Sequence, residues 1–161
     1  MTERRTQTDV VHSAQQMFDL VADVERYPEF LPWCVALRVL KRDLHEGGGK
    51  LLADMVVAYR VFRKQFRSEV LLDATAKRID VYYVDGPFER LHNNWRFEDK
   101  PGGGCVVHFH IEFEFRNLIL QATARAVFER AFARMSEAFI KRADEVYGRA
   151  PPETASGPAN T

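Results

Sequence analysis

The residue types best suited to chemistry lie in four places along the chain. His108 and His110 form an H-x-H pair, and Glu112 and Glu114 continue the same spacing. Alternate residues of a strand share one face, so these imidazoles and carboxylates could hold a metal ion. No further ligand is identifiable, and the interleaved residues are apolar, so the polar set reads as a solvated strand face. Cys34, next to Trp33, could act as a nucleophile if a histidine approached it in space. Nothing in the sequence lowers its pKa, and a free cysteine is ordinarily a small buried hydrophobe. Asp19, Asp23, Glu25 and Glu29 could form an acidic centre, but read better as a solvated helix face. Gly47-Gly48-Gly49 and Gly102-Gly103-Gly104 lack the Lys-Ser/Thr that completes a phosphate-binding loop. No catalytic residue and no metal site is assigned from these patterns. The chemistry that remains is binding by apolar side chains.

The elements that position those side chains can be read from periodicity and punctuation. Residues 4–11 alternate polar and β-branched types and predict a first strand. Ser13 can cap a helix whose Met17, Leu20, Val21 and Val24 recur at helical spacing. Pro28 and Pro32 confine the next segment, 25–31, to a short helix or turn. Six strands are then predicted, over 35–43, 50–62, 65–74, 78–85, 90–98 and 105–115. Short connections such as Asp85-Gly86-Pro87 make their neighbours antiparallel hairpins. Residues 117–147 change period: Leu120, Ala124, Phe128, Phe132, Met135, Phe139, Ala143 and Val146 step by three or four. At 1.5 Å per residue this helix is about 45 Å long and must lie across the sheet. The predicted fold is α+β, a curved antiparallel sheet of seven strands around a long C-terminal helix, with two short helices between strands 1 and 2.

Parity then separates two faces of the sheet. Cys105, Val107, Phe109, Ile111, Phe113 and Phe115 point one way, with His108, His110, Glu112 and Glu114 opposite. Leu91, Asn93, Trp95 and Phe97 repeat the inner pattern, and Met55, Val57, Tyr59 and Val61 continue it. The facing helix stripe carries Phe128, Phe132, Met135 and Phe139. Two arrangements fit this pattern: a filled core, or a lined cavity with Asn93 and Tyr59 as its polar groups. Periodicity does not distinguish them.

The balance of the whole chain excludes several classes. With 161 residues it is predicted to form one domain, over 1–148, and then a flexible tail over 149–161 rich in Pro, Ser and Gly. Lys+Arg and Asp+Glu are each 23, so the net charge is zero, which argues against a general nucleic-acid binder. Two cysteines make no disulfide framework. No apolar run approaches the ~18–20 residues of a membrane span, and no signal peptide is evident, so a cytoplasmic location is expected. The C-terminal helix region, 116–149, carries seven basic and four acidic residues, a small local excess that could face phospholipid or RNA.

Two motifs carry a resemblance. The first is Ala22-Asp23-Val24-Glu25-Arg26-Tyr27-Pro28-Glu29-Phe30-Leu31-Pro32-Trp33-Cys34; the second is Asp85-Gly86-Pro87-Phe88-Glu89-Arg90-Leu91, with Trp95-Arg96-Phe97 shortly after it. Together with the element order they resemble the coenzyme Q-binding family of START-like proteins. That family is also described as polyketide cyclase/dehydrase-like and, in some bacteria, as ribosome-association toxins. The resemblance implies a helix-grip fold with an apolar tunnel that binds ubiquinone or a related polyprenyl lipid. It implies a non-enzymatic role in respiration, with the quinone as bound ligand and no other cofactor. The ligand-binding residues expected on this reading are the inward set Tyr59, Asn93, Trp95, Phe97, Val107, Phe109, Ile111 and Phe113, and the helix stripe Phe128, Phe132, Met135 and Phe139. The resemblance adds Phe88 and Leu91 at the tunnel border.

Tyr27, Phe30, Leu31 and Trp33 crowd a segment too short to bury all four on one helical face. They are expected either to plug the open end of the sheet or to form a tunnel mouth that touches the inner membrane. Expected partners are the lipid, a peripheral membrane contact and a ribosomal subunit, with no DNA. A cyclase- or dehydratase-like enzyme using the same cavity is the alternative. It would need acids, bases or oxyanion donors facing inward.

Overall fold

The computed structural model describes residues 2–59 and 62–148. Its strands are β1 (Thr2–Val10), β2 (Cys34–His45), β3 (Gly48–Tyr59), β4 (Phe62–Asp73), β5 (Arg78–Asp85), β6 (Phe88–Asp99) and β7 (Cys105–Phe115). They form one antiparallel sheet in the order β1-β7-β6-β5-β4-β3-β2. Helices α1 (Ala14–Ala22) and α2 (Tyr27–Phe30) come after β1, with a 3-10 turn at Val24–Arg26 between them. Helix α3 (Leu118–Tyr147) ends the described chain. This is the predicted helix-grip architecture. Val61, expected on the inner face, and the expected tail over 149–161 lie outside the described residues.

Each element starts where its chemistry allows. Ser13 and Gln16 form a reciprocal capping box at α1, with Gln16 N–H donating to Ser13 Oγ at 3.1 Å and Ser13 N–H to Gln16 Oε1 at 2.9 Å. Pro28 occupies the first turn of α2, where its missing N–H costs nothing. Asn117 caps α3 by accepting from the amides of Ile119 and Leu120. Gly86, at φ +145°, lets β5 turn into β6 close against Phe66; a Cβ there would lie 2.7 Å from that side chain's own Cβ.

Periodicity places the reversal between the third and fourth strands too late. It predicts one strand over 50–62, yet β3 ends at Tyr59, which pairs with Phe62 of β4. Arg63 and Lys64 therefore belong to β4. No Gly, Pro, Asn or Asp occupies 59–62, so the turn leaves no compositional mark.

Polar contacts hold α3 against the sheet at both ends. Near its start, buried Gln121 accepts from the amide of Phe115 at 2.8 Å and donates to Thr2 Oγ1 at 3.1 Å, joining α3 to the end of β7 and the start of β1. Near its end, Asp144 lies 2.8 Å from Nε2 of buried His12, in the link between β1 and α1. Between these points α3 packs mainly on β7, α1 and α2. Replacing Gln121 by Leu leaves the Phe115 amide buried without a partner. We expect a loss of roughly 1–3 kcal/mol, read by urea unfolding.

Cys34 and Cys105 are buried and unpaired with each other. Burial pushes the Cys34 thiol up to about 11, against a smaller lowering effect of the Ala36 backbone. Burial, with Asp99 nearby, pushes Cys105 up to about 11 as well. The unfolded chain releases these protons at lower pH than the folded one. Stability should therefore be undiminished below about pH 9 and fall as pH rises from there toward 11. Urea midpoints at neutral and alkaline pH measure this. The Cys34→Ala, Cys105→Ala double variant should lose less stability than the parent over that interval.

Candidate functional site

A cavity of about 260 Å³ lies between the inner face of the sheet and α3. Small residues on both of its sides leave this space among larger side chains. Ala53 on β3 and Ser68 on β4 are neighbours in register on the sheet side. Ala124 and Ala131 interrupt the helix stripe on the other side. Larger rings frame the space. Trp95 contacts Phe109 at a centroid distance of 4.3 Å and Phe139 at 5.1 Å. Phe113 meets Phe128 at 5.1 Å, and Phe128 meets Phe132 at 5.7 Å. Edge-on and tilted pairs of this kind keep the walls in defined rotamers.

Most of the residues expected to bind a ligand border this cavity. From the sheet come Tyr59, Leu91, Asn93, Trp95, Phe109, Ile111 and Phe113; from the helix come Phe128, Phe132, Met135 and Phe139. Phe88 also lines it, three residues before Leu91. Strict alternation would put these two on opposite faces. A register shift between Phe88 and Arg90 brings both inward, a detail that periodicity does not reveal. Phe97 and Val107 have inward parity but lie elsewhere in the core. Phe97 packs edge-on against Phe18 of α1, and Val107 borders a separate small void with Thr6, Thr8 and Met17. The first helix fills that part of the sheet.

The aromatic segment after α1 divides likewise. Tyr27, Leu31 and Trp33 border the cavity. Tyr27 is buried and its hydroxyl donates to the Val21 carbonyl; burial raises its pKa further above the usual phenol value. Phe30 lies outside, edge-on to Phe139, with the Arg142 guanidinium 5.2 Å from its ring centre. Arg142 in turn donates to Glu29 at 2.6 Å. The segment thus closes one end of the grip.

Two polar groups of the lining were not expected from sequence. Ser68 is buried and its Oγ has no hydrogen-bond partner. The Trp33 Nε1–H is buried without a partner too. Ser68 gave no signal because a serine in a strand is read first as polar surface. No Asp, Glu, His, Lys or Arg lines the cavity among the described residues.

The other candidate groups face away from it. His110 meets Glu3 of β1 at 2.6 Å with Glu112 close by, while His108 turns to Glu98 at 3.0 Å. The H-x-H pair is therefore split between two partners rather than converging on one point. Of the acidic residues around α1 and α2, Asp23 and Glu29 pair with Arg26, and Glu25 with Arg42.

Comparison with known proteins gives a consistent answer. Residues 10–140 match the family model described as polyketide cyclase / dehydrase and lipid transport. The ribosome association toxin RatA of Escherichia coli K12 is 36% identical over 138 residues, covering 86% of this chain and 84% of that protein. The coenzyme Q-binding protein COQ10 homolog B of Xenopus laevis is 31% identical over 141 residues, 85% of this chain and 56% of that protein. An 18 kDa Caulobacter crescentus protein of solved structure shares 32% identity with a TM-score of 0.77, over 92% of this chain and 99% of its own. The aromatase/cyclase ZhuI from a Streptomyces species has the same fold, with a TM-score of 0.78 at 17% identity over 91% of this chain and 95% of its own. With the matching model spanning most of the sheet and the long helix, the chain belongs to the polyketide cyclase / dehydrase and lipid transport family.

Proposed function

We propose that this chain binds an uncharged lipid of the ubiquinone type in the cavity between sheet and α3, and carries it for respiratory electron transport. The observation that carries this reading is an uncharged, mainly apolar cavity whose lining residues Ser68 and Trp33 each hold a buried, unpartnered group able to donate, Oγ–H and Nε1–H. A buried donor without a partner costs roughly 1–3 kcal/mol. A ligand with acceptor oxygens recovers that energy, and quinone carbonyl and methoxy oxygens are such acceptors. A pure hydrocarbon would leave the donors unsatisfied. A carboxylate or phosphate would enter a lining that offers no cation. The relative named for coenzyme Q binding supports the same choice.

Volume limits how the ligand sits. An apolar cavity of about 150 Å³ admits benzene, so one of about 260 Å³ admits a substituted ring and little of its tail. The rest of a polyprenyl chain must leave the grip. Each CH₂ that does find apolar cover contributes ~0.8 kcal/mol, which offsets removal from a bilayer. The lining argues for carriage rather than cyclisation. General acid–base catalysis needs a titratable pair near the substrate, and the described lining supplies none outside its tyrosines.

Native mass spectrometry of the purified protein tests this reading, with recovery of stoichiometric quinone as the expected result. Phe109→Asp or Phe132→Asp should abolish retention, because a carboxylate then faces the apolar space. Ser68→Ala, which keeps the fold, should weaken binding of a short-chain ubiquinone about five- to tenfold, the worth of one hydrogen bond. Equal affinity in the Ser68 variant would remove that residue from the site. An empty or phospholipid-filled protein would overturn the quinone assignment.

Sequence identity to RatA favours a second reading, association with a ribosomal subunit. Co-sedimentation with isolated subunits at moderate salt tests it. Retention on one subunit is expected on that reading, and absence from both discards it.

A further inference from the structure

The most exposed large apolar side chains in the described structure are adjacent. Leu118 is 82% and Ile119 77% exposed, in the first turn of α3. Their exposure is built in. Asn117 caps the turn, Leu120 packs into the cluster of Phe88, Phe113 and Phe115, and Gln121 ties the next residue to β7 and β1. The turn is held with two aliphatic side chains facing outward.

Cations lie at the same end of the molecule. Phe62, at the start of β4, packs edge-on against Phe115, three residues before Leu118. That contact brings Arg63 and Lys64 to the same end of the molecule. Arg125 lies two turns along α3 on the face of Leu118, about 10 Å away. Among the described residues Arg63, Lys64 and Arg125 have no ion-pair partner, whereas the neighbouring Arg90 and Arg116 pair with Glu114 and Glu89. The most exposed aliphatics thus share this end with cations that no ion pair neutralises.

The same end borders part of the cavity. Half-buried residues of its lining lie here, Val57, Tyr59, Phe62 and Phe66 on β3 and β4, and Val127 and Phe128 on α3.

We propose that Leu118 and Ile119, with Arg63, Lys64 and Arg125 at the same end of the molecule, form a docking surface for an anionic bilayer, and set this end of the cavity against it. The delivery role of this surface rests on the lipid-carrier reading; the docking itself does not. Aliphatic side chains insert at the headgroup boundary while cations hold anionic lipid. A second copy of the chain fits less well. A twofold contact would bring the same cations together, and two side chains fall far short of the ~800 Å² per partner of a stable dimer. RNA would use the cations but not the aliphatics.

The test is co-sedimentation of lipid-free protein with vesicles of phosphatidylcholine and phosphatidylglycerol in equal parts, against phosphatidylcholine alone. The parent should bind the mixed vesicles and lose binding in high salt. Leu118→Ser with Ile119→Ser should lower partition about tenfold or more. Arg63→Glu with Arg125→Glu should do the same on mixed vesicles and leave neutral ones unaffected. Phe30→Ala, at the α2 end, should bind like the parent. Unchanged urea midpoints would show that the surface variants remain folded. Parent-like binding by either double variant overturns the proposal, as does a loss confined to Phe30→Ala. Self-association or ribosomal-subunit binding that disappears in the Leu118 variant, with vesicle binding intact, assigns the surface to those partners and overturns it too. Protein that retains quinone but ignores anionic vesicles overturns the docking surface alone. Protein that docks but carries no quinone supports the surface and overturns only the cavity reading.

Discussion

Helix α3 is held to the sheet near both ends and kept off it in between, and the rest of the structure depends on that arrangement. Gln121 binds its start to β7 and β1, and Asp144 binds its end to His12. A helix anchored in this way cannot settle fully onto a curved sheet when the residues between are uneven in size. Large rings on Phe128, Phe132 and Phe139 hold the separation, while Ala124 and Ala131 leave the space between them. Protein interiors ordinarily close such gaps to native packing density. Here the polar ties and the ring contacts set the spacing, and a cavity remains.

Within that cavity chemistry is sparse, and its sparseness selects the ligand. The aromatic walls provide area and shape, but no charge and little polarity. Tyr59, Asn93, Ser68 and Trp33 supply that polarity, and none of them carries a charge at neutral pH. The thiols of Cys34 and Cys105 are held protonated at neutral pH by burial, so neither is primed as a nucleophile. The titratable residues of the sheet's outer face engage one another, as in His110 with Glu3 and His108 with Glu98. The interior is therefore suited to holding an apolar guest by shape and one or two hydrogen bonds.

The family contains proteins named for quite different roles, a ribosome association toxin and a coenzyme Q-binding protein among them. The fold itself does not choose between them, because function resides in the site built on it. In this chain the zero net charge conceals an uneven distribution. Acidic residues near α1 and α2 are matched by Arg26, Arg42 and Arg142, whereas cations near the start of α3 are not all matched.

The sequence by itself determined the element order, the inward face of most strands and the long amphipathic helix. These depend on local periods of two and 3.6 residues, which a chain displays without being folded. It determined Ser13 as a cap and the aromatic stripes as interior for the same reason. Only the tertiary structure decided whether those stripes met or stood apart. That depends on small residues of the sheet, Ala53 and Ser68, and of the helix, Ala124 and Ala131, lining one space; they are far apart in the chain and individually carry no signal. Bulges decided the rest. The shift beside Phe88 turns it inward against strict alternation, and the unmarked reversal between Tyr59 and Phe62 brings Arg63 and Lys64 into β4. Phe97 and Val107 share the parity of the cavity residues yet lie outside it, because α1 occupies the sheet beneath them. Parity names a face; what covers each part of that face is fixed by the three-dimensional path of the whole chain.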